Sequence, residues 1–403
     1  EALAENAATD IWDDGVHREC STDYHLIVLR SLVGAIANAH HTGLAVPPQL
    51  TDRTERACDF ALHVQRPDGT TPAVADGDQG DVRPLLAFAG EVLDRPDLTW
   101  AATGGARGTP PGRRHVSFPV GGYHVQRSGW GEQRPFGEER WCLLDTGPVG
   151  DGRHGHDDQL SVEIHAGGHP LVVDPGRLTC ADEGSGSRRW STGTATRSTV
   201  TVDGLDRTPD RRERPRGPVG PPRLLRRHTA PGLDLLVARA TSPLHEAVHT
   251  RTVLLVDDDY WLVHDRLEGT RPHRYSARWQ LATGAGDATT LQRTDDQVTV
   301  RAPGLALVVP RGAGVPELAD GWVSPEYGVR HPAPAVLVVC DGRARADLFT
   351  AIVPTRARHA AVRVAATCRD DVVRAWVQRP GIGTDVIRWS VDGTNVRRRR
   401  EPR

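Results

Sequence analysis

The 403 residues contain no lysine and no methionine, so all 50 basic residues are arginine. A coding bias toward G and C accounts for most of this. The missing methionine carries a further expectation: a translated chain starts with one and this one starts at Glu1, so its N-terminus is read as processed or truncated. Also absent is any run near the ~18 apolar residues of a membrane span. No basic head followed by an apolar stretch marks a signal peptide. The six cysteines, Cys20, Cys58, Cys142, Cys180, Cys340 and Cys368, include no C-x-x-C pair. That spacing speaks against a zinc ribbon or a dithiol redox site and is read as mostly buried free thiols.

What remains is a chain with 38% hydrophobic and 25% charged residues and Gly and Pro spread along it, which fits a soluble globular protein of two or three domains. The formal net charge of −2 excludes a main task of coating nucleic acid or an anionic membrane. Anion binding, if present, is local.

Residues 1–104 read as helical. Tyr24, Val28, Leu32, Ala35 and Ala39 form a stripe over Ser21–Ala39, with Ser21 or Thr22 as N-cap. A second helix is expected over Thr51–Gln65 and a third from near Asp81 to before Pro96. The Gly/Pro/Arg-rich residues 105–114 suit a linker. Beyond them, short runs rich in Val, Leu, Thr and aromatics predict antiparallel strands: His169–Asp174, Ser198–Asp203, Ala247–Val256, Tyr260–Asp265, Tyr275–Leu281, Gln297–Arg301, Ala335–Cys340 and Val386–Val391. The expected fold is multidomain α + β, with helical hairpins over 1–104, a β-sandwich or stacked sheets over 115–315, and a C-terminal β-sheet region over 316–403. The Arg- and Pro-rich segment Arg207–Arg227 is expected to be an exposed loop, either a solvated face or an anion-binding rim.

Two segments are candidates for chemistry. In Gly152-Arg153-His154-Gly155-His156-Asp157-Asp158, two histidines one residue apart project to the same side of an extended segment. The carboxylate of Asp174, on a following strand, can approach them. This suits a metal ion, a catalytic His pair, or no chemistry at all. In the second segment a turn through Glu19 leads into the helix bearing Tyr24, whose ring belongs either to the core or to the mouth of a cleft. Glu19 is otherwise a residue that binds backbone donors at the helix start.

The order of DGVHRECSTDYHLIVLRSLV, GGYHVQRSGWG, HGHDDQLSVEIHAGGHPLVVDPG, STVTVDG and the late SPEYG resembles the heparinase II/III-like polysaccharide lyases, which include alginate lyases. The resemblance implies an incomplete α/α toroid followed by antiparallel sheets, with a cleft between them. It also implies β-elimination on a uronic-acid polysaccharide, a glycosaminoglycan or an alginate. By that likeness Tyr24 and His154 transfer protons, while Glu19, Arg153, Arg189 and Trp190 support substrate. The family's zinc would be held by His156, Asp174 and a third residue that falls on Arg197, which cannot act as a ligand because it stays protonated. Weak or absent zinc binding is therefore expected, with His165 or His169 as the residues to recruit if the register turns one inward. Arg197 is expected to pair with Asp174 instead. Two departures, an Asn-His pair that would precede Glu1 and Arg177-Leu178 where a tyrosine is common, leave a competing reading: a carbohydrate-binding relative that keeps the fold without a complete site. An unrelated zinc hydrolase lacks the H-E-x-x-H helix it would need.

Overall fold

The computed structural model describes residues 2–148, 155–179, 187–207, 222–242, 244–286, 288–355 and 361–401, except the side chains of Ser187 and Arg189. The chain begins with five helices: α1 (Ala2–Asp10), α2 (Thr22–Thr42), α3 (Pro48–Val64), α4 (Arg83–Val92) and α5 (Pro96–Ala102). Helix α2 stops at Gly43, whose φ of 69° puts it in the left-handed conformation that ends helices. Helices α3, α4 and α5 each carry proline in the first turn, where a missing N–H costs nothing. Ser21 occupies the N-cap position of α2 but makes no capping bond; Thr22 Oγ1 instead donates to the Pro72 carbonyl at 2.6 Å. That bond ties the start of α2 to the loop after α3. Leu29, Leu32, Val33 and Ile36 of α2 meet Ala57, Ala61 and Leu62 of α3 and Leu85, Leu86 and Ala89 of α4 in one apolar cluster. No helix among the described residues is long and apolar enough to cross a membrane.

The strands follow. β1 (Val116–Phe118), β2 (Tyr123–Arg127), β3 (Trp141–Asp145), β4 (Val162–Ala166) and β5 (His169–Val172) form an antiparallel sheet in chain order. A short helix, α6 (Ser187–Thr192), precedes β6 (Val200–Val202). Then come β7 (Arg223–Ala230), β8 (Leu233–Thr241), β9 (Ala247–Val256), β10 (Tyr260–Gln280), β11 (Thr290–Arg293), β12 (Gln297–Ala302), β13 (Leu305–Pro310) and β14 (Val315–Ala319). After the small pair β15 (Trp322–Val323) and β16 (His331–Pro332), β17 (Ala335–Pro354) returns. The large sheet runs β11-β12-β13-β17-β10-β9-β8-β7, with β6 on β10 and β14 on β17. Last, β18 (Arg363–Arg369), β19 (Val372–Arg379), β20 (Gly383–Ser390) and β21 (Val396–Glu401) make a four-stranded sheet.

Three expectations change. The two runs Tyr260–Asp265 and Tyr275–Leu281 are one strand, β10, whose register against β17 shifts between Glu268 and Tyr275. The large sheet continues past residue 315, because β14 and β17 belong to it; a sheet of its own begins at Arg363. Arg207–Arg227 is not wholly an exposed loop. Residues 208–221 lie outside the described residues, Arg223–Arg227 lies in edge strand β7, and Arg207 is buried against the Val200 carbonyl and His249. Charged side chains on an edge strand read like a loop because an edge needs no alternating apolar face.

Helices and sheets share a dry seam. Phe60 and Val64 of α3 pack with Phe118, Tyr123, Val125, Trp141 and Leu143. Trp141 Nε1 donates to the His63 carbonyl at 3.1 Å, and Arg66 pairs with Glu163 of β4, both charges buried. The expected linker is held at two points, where Trp130 Nε1 donates to the Arg113 carbonyl at 2.9 Å and Gly108 lies against the Pro96 carbonyl, while residues 106–110 stay exposed.

Candidate active site

At the edge of this seam four pieces of chain converge. The first is the start of α2, with Glu19 before it and Tyr24 in its first turn, both half-buried. The second is the loop Asp76–Asp78 between α3 and α4; Gly77 lies against Thr22 Oγ1, so this loop touches α2 directly. Burial raises the Asp23 carboxyl, and the Asp78 charge raises it further. The third is Gly155–Leu160, leading into β4, and the fourth is the end of β5 at Asp174–Arg177.

Buried polar groups couple these pieces. His156 Nε2 meets Asp76 Oδ1 at 2.7 Å, and Arg188 of α6 grips the same carboxylate, Nη2 to Oδ2 at 2.8 Å. Burial alone would raise the Asp76 carboxyl, but the bonds from His156 and Arg188 outweigh it and hold the group well below the usual carboxylate range. Burial first, then the charge of Arg197, pushes the His156 imidazole down to about 4. Arg197 itself is fully buried and bonds Asp174, the His156 Nδ1 and the Ser191 carbonyl. Asp174 Oδ1 also accepts from the Gly176 amide at 2.7 Å. Asp158 is pushed up to about 7, first by burial and further by Asp174, against the pull of Arg197.

The loop holding His156 is fixed from below. Arg251 of β9 donates to the carbonyls of Leu160 and Ser198 at 2.6 and 2.7 Å and pairs with buried Asp265 through Nε at 2.7 Å. From the side, the Asp157 amide donates to the Thr192 carbonyl of α6 at 2.8 Å. The end of β5 is fixed by the SPEYG segment: the Ser324 amide donates to the Pro175 carbonyl at 2.7 Å, and Gly176 bridges Ser324. Arg177 pairs with Asp78 at 3.2 Å and lies 5.5 Å above the Tyr327 ring. Thus an aromatic does stand beside the residues after the V-D-P-G run, supplied from a distant segment.

Of the residues expected here, Tyr24, Glu19, His156 and Asp174 lie on these converging pieces, and Arg197, from the segment before β6, bonds two of them. Arg153 and His154 fall outside the described residues, as does the side chain of Arg189. Trp190 lies half-buried in α6, its carbonyl accepting from Thr196 Oγ1 at 3.1 Å. Asp76 and Arg188 were not singled out by sequence, Asp158 was named only within its run, and Arg177 only as a departure. Asp76 stands in an ordinary turn-rich stretch, PAVADGDQGD, and its partner His156 is 80 positions away.

His156 and Asp174 do not fit a metal site. Both are engaged by Arg197, and neither recruit takes part: His165 faces Asp68 at 3.4 Å, and His169 is exposed. Among the described residues, three donor groups close enough to hold an ion occur only at His264, Asp347 and Cys368. There the Arg266 guanidinium already engages two of the three, bonding Asp347 at 2.6 Å and Cys368 at 2.8 Å.

Residues 110–375 match the family described as heparinase II/III-like, C-terminal, and residues 1–93 match the heparinase II/III N-terminus. The chain belongs to the heparinase II/III-like family. Among curated relatives, it is 23% identical to a heparin-sulfate lyase of Bacteroides stercoris over 80% of this chain and 47% of that protein. It is 24% identical to a heparin-sulfate lyase of Pedobacter heparinus over 67% of this chain and 40% of that protein. The chain thus spans about half the length of these relatives or less. Among solved structures, the heparan sulfate lyase HepC of Pedobacter heparinus superposes with a TM-score of 0.83 at 20% identity, covering 96% of this chain and 61% of that one. A heparinase III superposes with a TM-score of 0.82 at 18% identity, covering 96% and 62%. The fold of the family, helical hairpins followed by stacked antiparallel sheets, is therefore the fold of this chain.

Proposed function

We propose that the chain is part of a polysaccharide lyase that cleaves a uronate-containing glycan by β-elimination, with a heparan-type glycosaminoglycan as its substrate class. The substrate class rests on the names of the relatives. The observation that carries the reading is the convergence of the α2 start, bearing Tyr24, with the His156–Asp174 junction at the seam between helices and sheets.

The chemistry sets what the residues must do. A base takes the weakly acidic C5 proton of the uronate, the electron pair forms the C4=C5 double bond, the C4–O4 bond breaks, and O4 receives a proton from an acid. No water is consumed, so the product is an unsaturated uronate. Tyr24 and His154 are the proton-transfer pair in this reading. Glu19, Arg153, Arg189 and Trp190 are its substrate-supporting residues, the positive charge of the arginines suiting an anionic polymer. The network of Asp76, Arg188, His156, Asp174 and Arg197 ties the Gly155–Leu160 loop to the loop beside α2. Zinc has no step in this scheme.

Incubation of the full-length protein that contains this chain with heparan sulfate and with alginate, followed by ultraviolet absorbance, tests the reaction: absorbance that grows with cleavage is expected, and little or none from the 403 residues alone. Tyr24→Phe deletes a hydroxyl and is expected to slow turnover by about 100-fold or more with the fold intact by circular dichroism. Saturated products, or full turnover by that variant, would refute the assignment. Glycan binding by the full-length protein without cleavage would favor the carbohydrate-binding alternative.

A further inference from the structure

We propose that the Arg197 guanidinium is a resident cation that takes the place of a metal ion between His156 and Asp174, so that this junction assembles without metal and a ligand at position 197 is all it lacks to hold one. Arg197 follows a short helical turn, Thr194–Thr196, and enters β6 with its side chain fully buried. One terminal nitrogen bonds Asp174, and the other bonds His156 Nδ1 and the Ser191 carbonyl.

A guanidinium only donates, so His156 Nδ1 must be the acceptor. A neutral imidazole has one lone-pair nitrogen, so Nε2 carries the hydrogen and donates it to Asp76 at 2.7 Å. Both ring nitrogens are thereby used, and the lone pair a metal would need is held by Arg197. Asp174 gives its Oδ1 to both Arg197 and the Gly176 amide. An incoming dication would have to displace a fixed positive charge from both ligands. The planar fork bridges three separate elements, the loop before β4, the end of β5 and the end of α6, which a single ion would otherwise have to gather. Unlike an ion, it does not dissociate and does not titrate near neutral pH.

The surroundings are already those of a metal site in one respect. Asp76 orients His156 through its far nitrogen, the arrangement that readies a histidine for a metal at the near one. Arg197→His would release Nδ1 of His156 and the Asp174 carboxylate and add a third ligand, leaving one position open.

The proposal does not depend on the lyase reading, because its readouts are metal content and stability. After dialysis, the unaltered chain is expected to carry no stoichiometric zinc, and chelator is expected to leave its melting temperature unchanged. Arg197→His is expected to bind one zinc at least about 100-fold more tightly than the unaltered chain, with a melting temperature that rises on zinc addition and a tetrahedral cobalt spectrum. Arg197→Met, which removes the charge and adds no ligand, is expected to melt lower and to gain nothing from zinc. Stoichiometric zinc in the unaltered chain that is lost on His156→Ala would overturn the proposal, as would a folded Arg197→His that takes up no zinc. If Arg197→His does not fold, the zinc content of the unaltered chain alone decides.

Discussion

Removing the Asp76 carboxylate would strand two groups at once, since it accepts from both His156 and Arg188. Breaking one side of a buried pair leaves an uncompensated charge, so Asp76→Ala is expected to lower stability by about 3 kcal/mol. Arg188→Ala should cost less, because that side chain keeps some access to solvent while Asp76 has almost none. Urea unfolding of both variants checks the order; equal losses would mean that Asp76 acts through Arg188 alone. The two residues also mark where sequence reading stopped. Tyr24, His156, Asp174 and Arg197 lie in runs whose local pattern is legible. Asp76 acquires its role only from a contact closed by folding, and no spacing within its own loop encodes that.

Among the elements, the helices were legible because each buries one face, and the 3.6-residue stripe survives in sequence. Strand β10 was split in two because residues 268–272 are mostly exposed and its pairing slips there, so the alternation that defines a strand lapses in its middle. The end of β5 was placed correctly, but not its dependence on a segment nearly 150 residues later, where the Ser324 hydroxyl donates to the Arg177 carbonyl. Gly176 sits at the crossing with φ of 71°, and a Cβ there would run into the Ser324 carbonyl oxygen. Gly176→Ala therefore faces both left-handed strain and a backbone clash. It is expected to lower the melting temperature by several degrees, at a cost of about 2 kcal/mol or more. A melting temperature within a degree of the unaltered chain would mean that the bridge to Ser324 is dispensable.

For the whole molecule, buried neutral histidines set the response to acid. Burial, the largest cause in each case, pushes His25, His63, His124 and His249 down to about 3. Unfolded, each would bind a proton near pH 6.5, so the unfolded state takes up more protons than the folded one between those values. Their contribution is whole above about pH 6.5 and is lost as pH falls toward 3, at up to roughly 1.4 kcal/mol per unit for each group. Four together would exhaust an ordinary domain's 5–15 kcal/mol within about two units, so acid unfolding is expected between about pH 6 and 4. Circular dichroism against pH checks this, and a transition only below pH 4 would assign the acid response to carboxylates instead. One of the four, His63, also belongs to the seam, where its carbonyl receives Trp141, the neighboring Arg66 meets Glu163, and Arg127 bonds the Gln65 carbonyl. These contacts come from the end of α3 and do not pass through the connecting peptide at 105–114. Residues 106–110 are exposed, which makes them a natural target for a protease. A cut there would sever the covalent link but leave these seam contacts in place: the two fragments should elute together on gel filtration and melt as one.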